Sequence, residues 1–409
     1  FMNPESFEQN NIKKYVVGDP KAVLMVEFID NDLNLINKKI KDLENLVKSQ
    51  NKNNNFSYFK EIKDQKEIFE IRKAGLNILM SMKGDKKPVA FIEDCAVTLD
   101  HLAEYTTKLK EIFKKYDTSG MFYAHASVGT LHVRPVLNMK SDKDINNMKK
   151  IAEEAFEMVK QYKGSHSGEH GDGIVRSEFH EKMFGKKIIN AFEDVKDTFD
   201  HKNLLNPNKI VRPYKSNDRS LMRYKADYKT EKISTHYDWS EWGQFSDAVE
   251  MCNNNGACRK LDSGVMCPSY RVTKEEKDLV RGRANTLRLA LSNQLPKGSF
   301  VSKEMYESME LCVSCKACQR ECPMSVDIAK MKSEFLSHYY KKFNMSIKDK
   351  IICSMPKNIR FLKIIAPIFN KIKNFPIIES IINWYGFATQ REMPVVQNQS
   401  ELKVIYKSQ

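Results

Sequence analysis

The sequence predicts an α+β fold in its first half, a mixed sheet with helices, joined to an all-α second half. Three observations lead there. In residues 1–213 short apolar runs alternate with helix-periodic segments, and two of the runs lie close enough to form a hairpin. Residues 214–245 are charged and poor in aliphatics, which reads as a linker. From residue 246 helix formers and cysteine take over, and seven of the nine cysteines fall between Cys252 and Cys322.

In order, Ala22–Ile29 (AVLMVEFI) reads as a buried strand and 32–50 as a helix. Residues 56–61 read as a second short strand, and 65–82 as a second helix. Val89–Ile92 is a strand ending in the acidic pair Glu93–Asp94, and 101–116 is a third helix. Met121–Ala124 and Leu131–Val136 form strands around a Ser-Val-Gly-Thr turn. Residues 143–162 have strong helical amphipathicity, a glycine-rich stretch follows, and a further helix runs through Phe199. Asn206-Pro-Asn-Lys-Ile210 closes this part. In the second half, Thr273–Leu291 is rich in helix formers. Residues 351–387 are the most apolar, but Pro356, Pro367 and Pro376 divide them into short packed helices.

Length and charge narrow the function classes. The 409 residues suffice for two or three cores, and the net charge is +14. Lys, Asn and Ile are abundant throughout, so the charge reads as compositional bias. No basic block is interleaved with aromatics, which argues against specific nucleic-acid binding. No run of 18 apolar residues is present to form a spanning helix. Clustered cysteines without a secretory signal point to metal ligation in a reducing compartment, hence a cytoplasmic protein or one peripheral on the inner face of a membrane. Cys95 and Cys353 stand apart and read as small buried residues.

Two polar constellations carry the chemistry of the first half. In Ser167–Gly173 (SGEHGDG) three glycines surround Glu169, His170 and Asp172; in Ala124–Arg134 (AHASVGTLHVR) His125 and His132 flank the hairpin turn. Two imidazoles and a carboxylate make a donor set suited to a divalent metal such as zinc. The competing reading is a group of satisfied buried histidines, which glycine-rich turns disfavour.

In the second half, Leu311–Pro323 reads LCVSCKACQRECP, the C-x2-C-x2-C-x3-C-P run of bacterial iron–sulfur proteins. Zinc fits that spacing poorly. Met251–Pro268 repeats the theme with Cys252, Cys258 and Cys267, but Asn255 falls where the second cysteine belongs. By the crossing rule, Cys312, Cys315, Cys318 and Cys267 would hold one complete 4Fe–4S cluster. Cys252, Cys258 and Cys322 would hold a second 4Fe–4S cluster one ligand short, or a 3Fe–4S cluster. Otherwise only the first forms. The flanking helices suit an α-helical ferredoxin.

AHASVGTLHVRP, SGEHGDGIVRSEFHEKMFG and NPNKIV together resemble the C-terminal catalytic lobe of FAD-linked oxidases of the vanillyl-alcohol-oxidase superfamily. CNNNGACR, GVMCPSYR and the cysteine run resemble the ferredoxin region that follows it in large flavo-iron–sulfur members of the D-2-hydroxyglutarate or D-lactate dehydrogenase type. The resemblance covers about residues 15–345 and divides the chain into a catalytic lobe (1–213), a linker (214–245), an α-helical ferredoxin (246–345) and a helical linker (346–409). The last leads, by way of Phe387–Pro394, toward a cysteine-rich C-terminal domain. An N-terminal FAD-binding domain is expected to precede the chain.

The resemblance implies oxidation of a small D-2-hydroxyacid to the 2-oxoacid, with hydride transfer to FAD and electron relay through the clusters to a quinone or protein acceptor. It implies His125, His132 and Glu169 as metal ligands, His170 as the base and Arg72, in EIRKAG, as the grip on the substrate carboxylate. Glu169 and Asn206 would meet the cofactor. Arg72 is equally compatible with a surface arginine on a helix, and Asp94, Asn206 and Asp172 with local caps or turns. Arg134 stands where relatives carry a polar neutral residue, which leaves the second substrate anchor open. Two other readings of the whole are a non-catalytic iron–sulfur electron-transfer module of a larger complex and a zinc-stabilised binding protein.

Overall fold

The computed structural model describes residues 14–18, 20–50, 55–262, 264–388, 390 and 395; the segment 387–394 read as leading to a further domain falls partly outside them. Two compact units result, Phe1–Glu334 and Phe335–Gln409.

In the first unit, helices α1 (Leu33–Gln50) and α2 (Ile62–Met80) form where the periodicity predicts them. The runs 22–29 and 56–61 do not become strands, and Val23, Leu24 and Ile29 are exposed. An apolar run becomes a strand only when an edge is available to pair its backbone, and no described segment pairs with these.

The sheet comprises β1 (Lys86–Pro88), β2 (Cys95–Ala96), β3 (Gly120–His125) and β4 (Thr130–Asn138). Strand β4 is central: β1, β2 and β3 all pair with it. The α+β class holds, but every described pairing is antiparallel rather than mixed. The strand expected at 89–92 lies earlier, at β1, and Phe91 and Ile92 instead enter the core from a loop.

Helices α3 (Leu99–Lys115) and α4 (Asp142–Gln161) supply Tyr105, Leu109, Phe113, Ile151 and Phe156 to one core with Leu131, Val133 and Leu137 of β4. Burying such side chains contributes roughly 1.5–3 kcal/mol each. Beyond the glycine-rich loop come the short helices α5 (Gly173–Arg176) and α6 (His180–Phe184), then α7 (Lys186–Phe199).

The β3–β4 turn is tight. Gly129 sits at φ 73°, and a Cβ there would lie 1.8 Å from the Val97 carbonyl oxygen. That closeness fixes the hairpin against the start of α3, and with it the register that sets Tyr123 opposite His132 and His125 opposite Thr130. On one face of an antiparallel pair such residues are diagonal neighbours.

Residues 214–245 hold no long element but are tied to both sides. Arg219 pairs with Asp142 at 2.6 Å, Arg223 donates to the Cys252 carbonyl at 2.7 Å, and the Trp239 indole donates to Glu334 at 3.0 Å. Helices α8 (Phe245–Glu250), α9 (Pro268–Thr273), α10 (Val280–Leu291), α11 (Lys303–Glu310) and α12 (Ala317–Glu321) frame the cysteines. Helix α13 (Ile328–Lys342) ends the unit and opens the next.

The second unit continues with α14 (Ile347–Ser354), α15 (Ile359–Ile372, containing Pro367) and α16 (Pro376–Trp384), the short helices expected there. Among the described residues no helix is long and apolar enough to cross a membrane.

Candidate active site and iron–sulfur region

The hairpin brings His125 and His132 together, with ring centroids 5.0 Å apart. The glycine-rich loop then delivers one carboxylate oxygen to three imidazoles. Glu169 Oε1 lies 3.0 Å from His132 Nε2, 3.4 Å from His170 Nε2 and 3.6 Å from His125 Nε2. His132 and His170 stack in parallel at 4.9 Å. Glu169 and His170 are both close to half exposed, so the cluster has an open side, whereas His132 is buried. Burial first, and then the charge of His170, push His132 below its ordinary pKa and favour the neutral ring a metal needs.

The loop is held by Asp94, a buried residue at φ 84°. Its carboxylate accepts the backbone N–H of His170 at 2.7 Å, that of Glu169 at 2.9 Å and the Ser167 hydroxyl at 3.0 Å. Burial alone would raise its pKa; these donors outweigh it and hold Asp94 below the usual carboxylate range. Close approach favours glycine at 168, whose N–H donates to the Asp94 carbonyl at 2.7 Å and where a Cβ would sit a tight 3.2 Å from that oxygen. Glu93, beside it, has one oxygen 3.8 Å from His170 Nδ1 and the other 2.6 Å from Arg134. Arg134 is thus already engaged inside the protein.

Arg72 of α2 reaches the same place. Its guanidinium lies over the Tyr123 ring at 4.5 Å and places Nη2 3.2 Å from His125 Nδ1. Asn206 does not join the group. It is exposed, at φ 47°, and its side chain accepts from Lys209 at 3.2 Å.

Asp172 turns away from Glu169, toward two histidines absent from the sequence-based expectations. His166 Nε2 and His180 Nε2 each lie 3.2 Å from a different oxygen of Asp172. The only sequence hint was His166 in S-H-S-G-E-H; His180 lies 14 residues further on, a spacing that matches no local periodicity.

Around the cysteines, buried thiols receive backbone N–H groups. The backbone amides of Ile328 and Ala329 at the start of α13 pull the Cys318 pKa down against burial, those of Met324, Ser325 and Val326 act on Cys322, that of Asn254 on Cys252 and that of Arg281 on Cys258. Such donors favour thiolate bound to metal. Without metal, burial pushes the Cys258 thiol up to about 11 and Cys318 up to about 12. Cys258 lies within electrostatic reach of Cys252 and Cys322, and Cys318 within that of Cys312. The fully buried Arg283 lies between Cys267, whose sulfur is 3.5 Å from Nη1, and the Ser308 carbonyl at 2.9 Å, four residues before Cys312. Asn255, in place of a cysteine, is exposed. Its amide accepts from Ala257 N–H at 2.9 Å and donates to Asn253 at 2.7 Å, closing the loop on itself.

Comparison with known proteins agrees with both halves. Residues 6–210 match the family described as FAD linked oxidases, C-terminal domain, and residues 248–326 match the 4Fe-4S dicluster domain. The D-2-hydroxyglutarate dehydrogenase of Escherichia coli (strain K12) is 28% identical over 397 residues, 87% of this chain and 39% of that protein. That of Haemophilus influenzae is 27% identical over 418 residues, 91% of this chain and 40% of that protein. The mitochondrial D-lactate dehydrogenase [cytochrome] of Arabidopsis thaliana is 26% identical over 194 residues, 47% of this chain and 33% of that protein. The chain thus spans about two-fifths of the length of the D-2-hydroxyglutarate dehydrogenases it matches. With half of its residues in the matched domain and the cysteine region following in register, the chain belongs to the FAD-linked oxidase C-terminal domain family, here joined to a 4Fe–4S dicluster domain.

Proposed function

We propose that this chain is the catalytic and electron-transfer portion of an FAD-linked dehydrogenase that oxidises a D-2-hydroxyacid of the 2-hydroxyglutarate or lactate class to the 2-oxoacid. The observation that carries the reading is the single oxygen of Glu169 set within 3.6 Å of Nε2 on His125, His132 and His170. His132 and Glu169 belong to a group, with Asp94 and His170, whose ligand atoms lie within 4.8 Å of one another, and with His125, 3.6 Å from Glu169, they would suit a divalent metal of the zinc type, which when bound would lower the pKa of a substrate hydroxyl.

The protein's own residues supply the rest. His170, partly exposed and with Nε2 3.4 Å from Glu169 Oε1, takes the hydroxyl proton. Glu93, toward Nδ1, stabilises the imidazolium that results, and the 2.6 Å contact with Arg134 holds the Glu93 carboxylate in place. Arg72 binds the substrate carboxylate bidentately. In the structure it donates to His125 Nδ1, so that ring carries its proton on Nε2. Were a metal held at Nε2, the remaining ring proton would sit on Nδ1 and face the Arg72 donor. Arg72 must then leave His125, which frees the guanidinium for substrate.

Oxidation removes the hydroxyl proton and the C2 hydride, two electrons in all. When bound, FAD would supply the acceptor for that hydride, and iron–sulfur clusters would supply one-electron relay toward a quinone or protein acceptor. Residues 1–213 serve the first task and 246–345 the second. Cys312, Cys315, Cys318 and Cys267 hold the complete cluster; Cys252, Cys258 and Cys322 hold the other. The reach of Arg283 from Cys267 to the Cys312 segment, and that of Cys258 to Cys322, support this crossed arrangement.

Anaerobic mixing of the full-length protein with D-2-hydroxyglutarate or D-lactate tests the reading. Bleaching of the flavin absorption, followed by bleaching near 400 nm, is expected with one of them. No bleaching with any D-2-hydroxyacid overturns it.

A further inference from the structure

We propose that His166, Asp172 and His180 form a second divalent-metal site, separate from the one at Glu169, for a first-row transition ion of the zinc type. His166 and His180 are 1% and 2% exposed. Each presents Nε2 at 3.2 Å to one oxygen of Asp172, and one ligand atom from each of the three lies within 4.8 Å of the others. Tetrahedral zinc, with bonds of about 2.0–2.2 Å to nitrogen and oxygen, sets its ligand atoms roughly 3.3–3.5 Å apart.

Hydrogen bonding does not account for the arrangement. Both nitrogens of His166, both of His180 and Asp172 Oδ1 are buried with no hydrogen-bond partner, despite the 3.2 Å separations. The ring N–H directions therefore miss the carboxylate, although the three groups converge. A buried polar group without a partner is costly, and a cation accepting one lone pair from each of the three side chains would partner His166 Nε2, His180 Nε2 and Asp172 Oδ1 together, leaving each Nδ1 to carry the ring proton.

The surroundings suit an ion. The two rings stand at 89° with centroids 5.5 Å apart, and Phe156 and Phe184 pack on His166 edgewise at 5.4 and 5.5 Å, excluding water from that side. Asp172 is partly exposed and gives the entry path. It sits between Gly171 and Gly173, both at positive φ, which lets the chain reverse from the first cluster to the second within three residues. Arg176, nearby, donates to the Gly171 carbonyl at 2.6 Å and to the Glu93 carbonyl at 2.5 Å. A metal here would anchor the far end of the loop whose near end Asp94 holds, and so fix Glu169 and His170 from both sides.

The test counts zinc and iron together in the anaerobically purified, cluster-loaded full-length protein. Glu169→Gln is expected to retain one zinc per chain. The doubles Glu169→Gln/His180→Asn and Glu169→Gln/His166→Gln are expected to lose it, with iron and far-ultraviolet circular dichroism unchanged. No zinc in Glu169→Gln, or one zinc surviving in both folded doubles, would overturn the assignment. Should the doubles not fold, zinc K-edge absorption on Glu169→Gln decides: a shell of nitrogen and oxygen with imidazole scattering supports the site, and sulfur in the shell refutes it.

Discussion

The Asp94 carboxylate accepts the backbone N–H of His170 at 2.7 Å, so the residue assigned as base is positioned by a carboxylate that it does not meet through its ring. The same carboxylate holds the backbone of Glu169. Asp94→Ala leaves two N–H groups without an acceptor and lets the loop drift. Supporting groups behind a metal site typically contribute 10–100-fold. A loss of about that size in kcat is expected, with metal content reduced in parallel and circular dichroism unchanged. Full activity would show that the loop is held by other means.

Arg72 and His125 share one contact in the structure, and the proposed mechanism needs it broken. Arg72→Lys keeps the charge but loses the planar fork. Hydrogen bonds to charged groups contribute about 1.5–3 kcal/mol, so KM for the hydroxyacid is expected to rise by roughly tenfold or more, with a smaller change in kcat. An unchanged KM would return Arg72 to the reading of a surface arginine.

Asn255 bears on the second cluster. The cysteine spacing alone places it at an empty corner, where Asn255→Cys would add a ligand. Its exposed side chain, bonded to Ala257 and Asn253, is instead part of the loop. Asn255→Cys is therefore expected to leave iron per chain unchanged, and air-exposed protein, wild type or variant, is expected to show the paramagnetic signal of an oxidised 3Fe cluster. Added iron with loss of that signal would place residue 255 at the cluster after all.

Glu178 gives a pH dependence with a definite sign. It accepts from Lys149 at 2.6 Å and from the backbone N–H of Ser216 at 2.7 Å, fastening α4 to the chain that leaves the lobe. Burial opposes its ionisation, but these donors hold it at about 2, against an ordinary 4.5. Its contribution is present above pH 4.5 and is lost as pH falls from 4.5 toward 2. That contribution is on the order of 3 kcal/mol at neutral pH. Glu178→Gln should lower stability at pH 7 and flatten its decline across that acid window, as denaturant titrations at several pH values would show. Parallel curves for wild type and variant would argue against the pairing.

What the sequence disclosed follows from which interactions are local. The helices at 32–50, 101–116 and 143–162 and the hairpin between His125 and His132 were legible because periodicity and a Gly turn encode them within a few residues. The cysteine run was legible because its four cysteines lie within one short stretch of sequence. The runs 22–29 and 56–61 misled, since β-propensity does not say whether an edge is free to pair. The role of Asp94 was hidden because it acts across about 75 residues, through backbone groups that carry no residue identity, and that of Glu93 because the fold alone brings it to His170 and Arg134. His166 and His180 were hidden likewise, since only the fold brings them to Asp172.

The most direct test of the central claim is single-turnover flavin reduction in the full-length His170→Ala variant, with zinc and iron counted in the same sample. The account predicts unchanged metal and a rate lower by about 10²–10⁴-fold, the usual contribution of a general base. Flavin bleaching at the wild-type rate with metal intact would contradict it.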